Sequence, residues 1–115
     1  NMNGTAIMQV VATLFIAGCA GYEVTFVQLV VIAMLALIAS AGTPAAPGAG
    51  AIILFTILSG LGYVNEGALM AYSLILAINR PIEMLVTALN VVGDSATSVY
   101  VAKSEGLLDE AKYNA

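Results

Sequence analysis

Four long apolar stretches occupy most of this chain and leave few folds open to it. They cover residues 6–20, 24–39, 49–64 and about 68–101. Of the 115 residues, 61% are hydrophobic and 9% are charged, whereas an ordinary soluble domain carries about a quarter charged residues. The stretches are longer than ordinary strands, and unpaired strands cannot lie in lipid, so we predict that all four are helices. The sequence therefore predicts an all-α membrane protein.

The composition also excludes several functional classes. The chain has three cations, Arg80, Lys103 and Lys112, which are too few to form a nucleic-acid-binding surface. It contains no histidine, and Cys19 is its single cysteine. Zinc sites, Cys/His nucleophilic catalysis and disulfides within the chain are therefore excluded. We predict a protein that is not an enzyme, has no nucleic-acid partner and is surrounded by membrane lipid.

The connection between the second and third stretches carries breakers but no charge. Residues 40–50 have the sequence SAGTPAAPGAG. A loop that faces water would normally carry charged or larger polar residues, and each flanking stretch is shorter than the roughly 20 residues that cross the hydrocarbon core. We predict a re-entrant hairpin whose tip stops near the midplane, with an extramembrane turn as the alternative. Discontinuous helices of this kind mark the substrate and ion sites of transporters.

A polar stripe runs along the fourth stretch. Its members follow one another at steps of three or four residues, which places them on one face of a helix: Asn79, Glu83, Thr87, Asn90, Asp94 and Thr97. Such a face meets a cavity or other helices, and its ionisable residues are functional by default. A bound Na⁺ could neutralise Asp94, since hard cations prefer oxygen ligands and Asn90 lies one turn earlier.

Two interpretations of Glu83 stay open on this evidence. The carboxylate could balance a ligand ammonium or carry a proton, or it could form a structural i, i+3 pair with Arg80. Because proline favours the first turn of a helix, we also expect a kink or break before Pro81. Arg80 would then extend towards water or lipid headgroups, and a substrate-facing position is the alternative.

Three motifs carry a family resemblance. They are NMNGTA at 1–6, SAGTPAAPGAG at 40–50 and NRPIEMLVTALNVVGD at 79–94. Together they resemble, in order and spacing, the C-terminal part of the glutamate transporter family, which includes dicarboxylate and neutral amino acid:cation symporters. The chain begins within the first motif and without a charged signal region, so we expect it to be a C-terminal piece of a longer protein.

The resemblance implies a division of the chain into parts of a transport domain. Residues 1–103 would form its C-terminal part, with half of a broken transmembrane helix at 1–21, a re-entrant hairpin at 23–64 and the last transmembrane helix at 67–103. Residues 104–115 would be a polar tail. The hairpin tip would close over the substrate as a gate.

The resemblance also implies two sets of site residues. The substrate-binding set is Met2, Thr5, Ala46, Gly50, Glu83, Val86, Thr87 and Asn90. The cation-binding set is Asn1, Asn3, Ser40, Ala41, Thr43, Asn90 and Asp94. Within the first set, Glu83 stands where the family has an aspartate that holds the substrate ammonium.

Besides Glu83, three positions depart from the family pattern. Asn3 replaces an aspartate of a third sodium site, which would be weakened or lost. Val86 stands where members with acidic substrates have an arginine, and Asn79 replaces an aspartate close to that arginine. Loss of both charges together is reasonable because a lone buried charge is expensive. A neutral amino acid is therefore the expected substrate, although Arg80 could restore a cation and keep acidic substrates possible.

The function that the resemblance implies is secondary active symport of amino acids coupled to Na⁺, by alternating access. The alternatives are an H⁺-coupled symporter of acidic amino acids or dicarboxylates, and a non-transporting membrane subunit. The implied partners are the amino-acid substrate, lipid, the remainder of the transporter and further copies in a homotrimer. The implied location is the cell (inner or plasma) membrane as a multi-pass protein. Lys103 and Lys112 in the tail favour a cytoplasmic C-terminus.

Overall fold

A computed structural model describes residues 2–115, and its regular structure over this range is entirely helical. The five helices are α1 (Asn3–Cys19), α2 (Phe26–Ala41), α3 (Ala49–Leu61), α4 (Glu66–Ser104) and α5 (Glu110–Tyr113). The prediction of an all-α fold is confirmed. Over the described residues, α4 is the one helix long and apolar enough to cross a membrane, whereas α1, α2 and α3 are shorter apolar helices.

Local sequence signals explain where several helices begin and end. Thr25 starts α2 with a capping box, in which its side chain and that of Gln28 each bond the other's backbone N–H. Asn65 starts α4 by accepting a hydrogen bond from the Ala68 N–H at 2.8 Å. Gly62 ends α3 with a φ of +76°, a left-handed conformation that glycine adopts without strain.

Helix α4 runs without interruption through Pro81, contrary to the break predicted before this residue. Proline lacks the N–H that would bond the carbonyl four residues earlier, at Ala77. Membrane helices tolerate this loss when neighbouring helices hold the chain. Here α4 has buried contact residues on both sides of Pro81, with Ile75 before it and Asn90 after it. Tertiary packing therefore outweighs the local preference.

The two helices α1 and α4 pack side by side in opposite directions. The Gly4 N–H bonds the Asn90 side chain at one end, and the Asn65 side chain bonds the Ala20 carbonyl at the other. Glycine makes the close approach possible: a Cβ on Gly4 would lie 2.7 Å from the Val86 carbonyl oxygen. Small residues commonly allow membrane helices to approach in this way.

The hairpin formed by α2, loop residues 42–48 and α3 packs on the other side of α1. Its contribution to the core includes Ile32, Leu54 and Leu58, which are almost completely buried. The outward faces carry large exposed apolar side chains such as Phe26 and Ile52. Exposed apolar surface of this extent is suited to contact with lipid or with further protein.

Candidate functional site

The N-terminus of α1 is held by a side chain of α4. The Gly4 N–H donates to Asn90 Oδ1 at 2.8 Å, and Asn90 Nδ2 donates to Thr5 Oγ1 at 3.2 Å and to Met2 Sδ at 3.5 Å. Met2, the N-cap residue of α1, makes no side-chain cap bond of its own. The buried Asn90 amide therefore satisfies one of the backbone donors that a helix start leaves without a partner.

Asn3 makes a second contact between the same two helices. Its Nδ2 donates to the Leu89 carbonyl at 3.1 Å, and its amide lies directly over Gly93, where a Cβ would collide with it. The hydrogen-bonding capacity of the Asn3 side chain is thus directed to the backbone of α4. This accounts for the small residue at position 93.

The N-terminus of α3 is also held by α4, here through Glu83. The Gly48 N–H donates to Glu83 Oε1 at 2.8 Å, and Arg80 Nη1 lies 3.3 Å from Glu83 Oε2. The i, i+3 ion pair that the sequence offered as one interpretation of Glu83 is therefore formed. The bond to Gly48 was not predicted, and it joins residues 35 positions apart.

A cavity of about 770 Å³ lies between these two helix starts and α4. All eight residues of the predicted substrate-binding set line it: Met2, Thr5, Ala46, Gly50, Glu83, Val86, Thr87 and Asn90. Thr43, Asn90 and Asp94 of the predicted cation-binding set also line it. The three sequence motifs, which are far apart in the chain, therefore meet around one space.

Three further residues of the predicted cation-binding set lie outside the lining of the cavity: Ser40, Ala41 and Asn3. The Ser40 hydroxyl donates to the Leu37 carbonyl at 2.9 Å within α2, and Ala41 is exposed at the end of that helix. Asn3 contacts α4 as described above, outside the lining of the cavity. Asn1 lies outside the described residues.

Several lining residues were missing from the two predicted sets. They are Met8, Pro44, Ala45, Pro47, Arg80, Met84 and Val91. Helical spacing contained a signal for most of them, since Met8 follows Thr5 by three residues and Val91 follows Thr87 by four. The loop residues adjoin Ala46, which was predicted. All of them except Arg80 are apolar, and apolar lining residues shape a pocket, while its few polar groups fix the orientation of a ligand.

Asn79 departs from the rest of the predicted stripe. It is buried in a separate apolar groove of about 410 Å³ between α1 and α4, and its Oδ1 has no hydrogen-bond partner among residues 2–115. Glu83, Thr87, Asn90 and Asp94 line the larger cavity of about 770 Å³ instead. The stripe is therefore divided between two environments.

The ionisable groups of the cavity are one cation and two carboxylates. They belong to Arg80, Glu83 and Asp94. Among residues 2–115, no group of three or more His, Cys, Asp or Glu side chains lies close enough to hold a metal ion. A cation bound here would accordingly need neutral oxygen atoms besides a carboxylate, a donor set that suits hard ions.

Short apolar helices that begin at a cavity with ionisable side chains, beside one long apolar helix, are typical of a class of protein: secondary membrane transporters with discontinuous helices. The chain belongs to the sodium:dicarboxylate symporter family, which matches residues 1–104. The members of this family are membrane transporters and not enzymes. The predicted family resemblance is confirmed.

Individual relatives agree with this family. The chain is 36% identical over 115 residues to a C4-dicarboxylate transport protein of Anaeromyxobacter sp. (strain K), covering 100% of the chain and 26% of that protein. It is 30% identical over 112 residues to a proton/sodium-glutamate symport protein of Bacillus caldotenax, covering 97% of the chain and 26% of that protein. It is 34% identical over 95 residues to an excitatory amino acid transporter of Caenorhabditis elegans, covering 83% and 18%.

The chain spans about a quarter of the length of the curated relatives that it matches over its whole length. No solved structure gives a significant match to the chain. The site described here therefore consists of the parts that α1, the hairpin and α4 contribute.

Proposed function

We propose that the chain forms part of the substrate and ion site of a cation-coupled symporter of amino acids. The observation that carries this proposal is the convergence of three distant motifs around one cavity, which holds Arg80, Glu83 and Asp94. Ionisable groups in a membrane transporter lie on the ligand or ion pathway by default. The names of the relatives, which include sodium:dicarboxylate and proton/sodium-glutamate symporters, support coupling to a cation.

We assign the coupling ion as Na⁺ and its main side-chain ligand as Asp94. The carboxylate lines the cavity one turn beyond Asn90, whose amide oxygen accepts a bond from Gly4. A cation at Asp94 would thus lie next to the hydrogen bonds by which Asn90 holds the Gly4 N–H and the Thr5 hydroxyl. Coupling then follows because ion binding orders groups that the substrate also contacts.

Substitution of Asp94 tests the assignment of the ion. In the full-length protein reconstituted in liposomes, Asp94→Asn should reduce sodium-driven uptake at least tenfold, because a neutral amide removes the charge that attracts the cation. The matched control is Glu105→Gln, which removes an exposed carboxylate beyond the end of α4. Unchanged sodium dependence in Asp94→Asn would refute the assignment. Uptake that follows a pH gradient without sodium would instead support H⁺ coupling with Glu83 as the carrier.

We propose a neutral amino acid as the substrate. The ligand ammonium would lie near Glu83, and the apolar Val86 side chain, which lines the same cavity, would adjoin the ligand side chain. An acidic side chain would need a cation there to offset its desolvation. The hairpin tip, with Ala46 and Gly50 in the cavity wall, would act as the gate in alternating access.

Substitution of Val86 tests the class of substrate. Val86→Arg should allow glutamate or aspartate to compete with uptake of a neutral amino acid, with at least a tenfold lower inhibition constant than in the parent. Val86→Met, which is long but uncharged, is the control for the added bulk. An inhibition profile that Val86→Arg leaves unchanged would contradict the proposal.

A dicarboxylate or acidic amino acid is the second candidate substrate, and one observation favours it. Arg80 lines the cavity, so a cation is present although position 86 has none. If Arg80 binds the acidic group, Arg80→Gln should abolish uptake of acidic substrates and leave uptake of neutral ones intact. The names of the relatives agree with this candidate.

The wider setting of the site is also proposed from the family. The chain would be one part of the transport domain in a homotrimer in the cell membrane, with its C-terminus in the cytoplasm. Cross-linking of the purified full-length protein, and protease access to a tag placed after Ala115, would test these two assignments.

A further inference from the structure

The hairpin tip has no polar side chain with which to start α3. Residues 44–47 are Pro-Ala-Ala-Pro, and Gly48, the N-cap residue of α3, makes no side-chain cap bond. By contrast, α2, α4 and α5 begin with capping side chains from their own segments: Thr25, Asn65 and Asp109. The N–H of Gly48 therefore needs a cap from another part of the molecule, whereas the Ala49 N–H is satisfied by the Ala46 carbonyl within the hairpin.

Glu83 supplies that cap from α4. One oxygen of its carboxylate accepts the Gly48 N–H at 2.8 Å. Gly48 has a φ of +82°, a conformation that favours glycine, and it directs its N–H towards α4. Among the described residues, the other hydrogen bonds of loop residues 42–48 stay within the hairpin itself. Glu83 is thus the polar connection between the tip and α4.

The second carboxylate oxygen is shared with a cation at the edge of the cavity. Arg80 Nη1 lies 3.3 Å from it, and the arginine side chain is 76% exposed, whereas that of Glu83 is 19% exposed. An ion pair with one such exposed partner contributes little stability by itself. The shorter bond to the backbone is the stronger of the two restraints, because a charged acceptor strengthens a hydrogen bond.

We propose that Glu83 is a positioning residue that holds the hairpin tip against α4 while no substrate is bound. The same carboxylate lines the cavity, so a ligand ammonium that approaches it would share its oxygens with the Gly48 N–H. This last step rests on the proposed function, whereas the holding of the tip does not. Substrate binding and docking of the tip would then use one chemical group.

Distance measurements on the full-length protein, without sodium or substrate, test this role. Spin labels on Ala45→Cys and Lys103→Cys, in a Cys19→Ser background, report the position of the tip relative to α4. Both sites are exposed, and Lys103 lies about 30 Å along α4 from Glu83 at 1.5 Å per residue. Pulsed electron paramagnetic resonance then gives the distribution of distances between the labels.

Three substitutions separate the two bonds of Glu83. Glu83→Leu removes the acceptor and should shift the ratio of displaced to docked tip by roughly tenfold. Glu83→Gln retains an acceptor for Gly48 and should keep the parent distribution, and Arg80→Gln should keep it too. The proposal is overturned if Glu83→Leu leaves the distribution unchanged, or if Arg80→Gln broadens it as much as Glu83→Leu does.

A backbone substitution covers the case in which Glu83→Leu does not fold. Replacing the amide between Pro47 and Gly48 with an ester removes the N–H donor and leaves every side chain intact. It should displace the tip as Glu83→Leu would, and an unchanged distribution would overturn the proposal. Because no substrate or sodium is present, failure here is distinguishable from failure of the symport proposal, which the Asp94→Asn uptake measurement decides separately.

Discussion

Two helices begin at the cavity, and α4 holds them by different means. The start of α1 is fixed by Asn90, a buried neutral amide, within a close packing of backbones that Gly4 permits. The start of α3 is fixed by Glu83, a charged and partly exposed side chain at the edge of the cavity. A neutral amide responds less to the charge of a ligand than a carboxylate in the same cavity does. The difference indicates that α3, rather than α1, is suited to move.

The contacts farther along the helices follow the same division. Helix α1 lies against α4 from Gly4 to Ala20, where Gly67 allows a second close approach. Besides the Gly48 bond, helix α3 contacts α4 through the Tyr72 side chain, whose hydroxyl donates to the Ala51 carbonyl at 3.0 Å and whose ring lies 5.4 Å from that of Phe55. One junction is a packed surface, and the other is a small number of side-chain contacts.

The largest effect is expected from Gly4→Ala, which breaks the packed junction. The added Cβ would lie 2.7 Å from the Val86 carbonyl and 2.9 Å from Leu89 Cβ, so the two backbones must separate. Overpacking of this kind costs about 3 kcal/mol, and we expect a clearly lower Tm of the full-length protein in detergent. The control is Gly18→Ala in the same helix, where a Cβ meets nothing within 4 Å. Equal Tm values for the two variants would contradict the close packing.

An intermediate effect is expected from Asn90→Leu. The apolar side chain leaves the Gly4 N–H without its acceptor and removes the bond to Thr5. Loss of a buried partner costs about 2 kcal/mol. Thr5→Val, which removes one hydroxyl and keeps the cap on Gly4, should lower the Tm by less. If Thr5→Val had the larger effect, the cap on α1 would not be the main contribution of Asn90.

The smallest effect is expected from Tyr72→Phe, at the junction of α3. It removes the bond to the Ala51 carbonyl but keeps the ring beside Phe55. Such a bond contributes about 1 kcal/mol, so the Tm should fall only slightly while the spin-label distances at the tip broaden. Tyr100→Phe is the control, because that side chain is exposed on α4. A change confined to Tm, with no broadening, would mean that Tyr72 does not restrain the hairpin.

Periodicity and breakers in the sequence predicted the helices and the loop between α2 and α3. Apolar runs and uncharged breakers are local signals, and they identify where a helix can form. Of the kink or break predicted before Pro81, the break is wrong, for the same reason. The preference of proline is local, whereas the packing on either side of it is not.

The positions of individual site residues were less accessible from the sequence. The i, i+3 spacing of Arg80 and Glu83 indicated their ion pair, but no local signal could indicate a bond from Glu83 to a backbone N–H in another helix. Asn79 shared the spacing of the stripe, yet it lies about 60° around the helix from Asp94 at 100° per residue. That rotation is enough to turn it towards α1. Whether a residue of the stripe faces α1 or the cavity depends on which helices pack against that part of α4.

The hairpin tip has one further consequence for how the molecule could work. Pro44, Ala45, Ala46 and Pro47 carry no charge and no side-chain hydrogen-bonding group, and the two prolines lack even a backbone donor. Moving a charged loop between water, a binding cavity and the headgroup region would strip and rebuild its hydration at each step. This tip has little hydration to lose, so its rate of exchange between such surroundings would be governed by the groups that it contacts rather than by the solvent that it leaves.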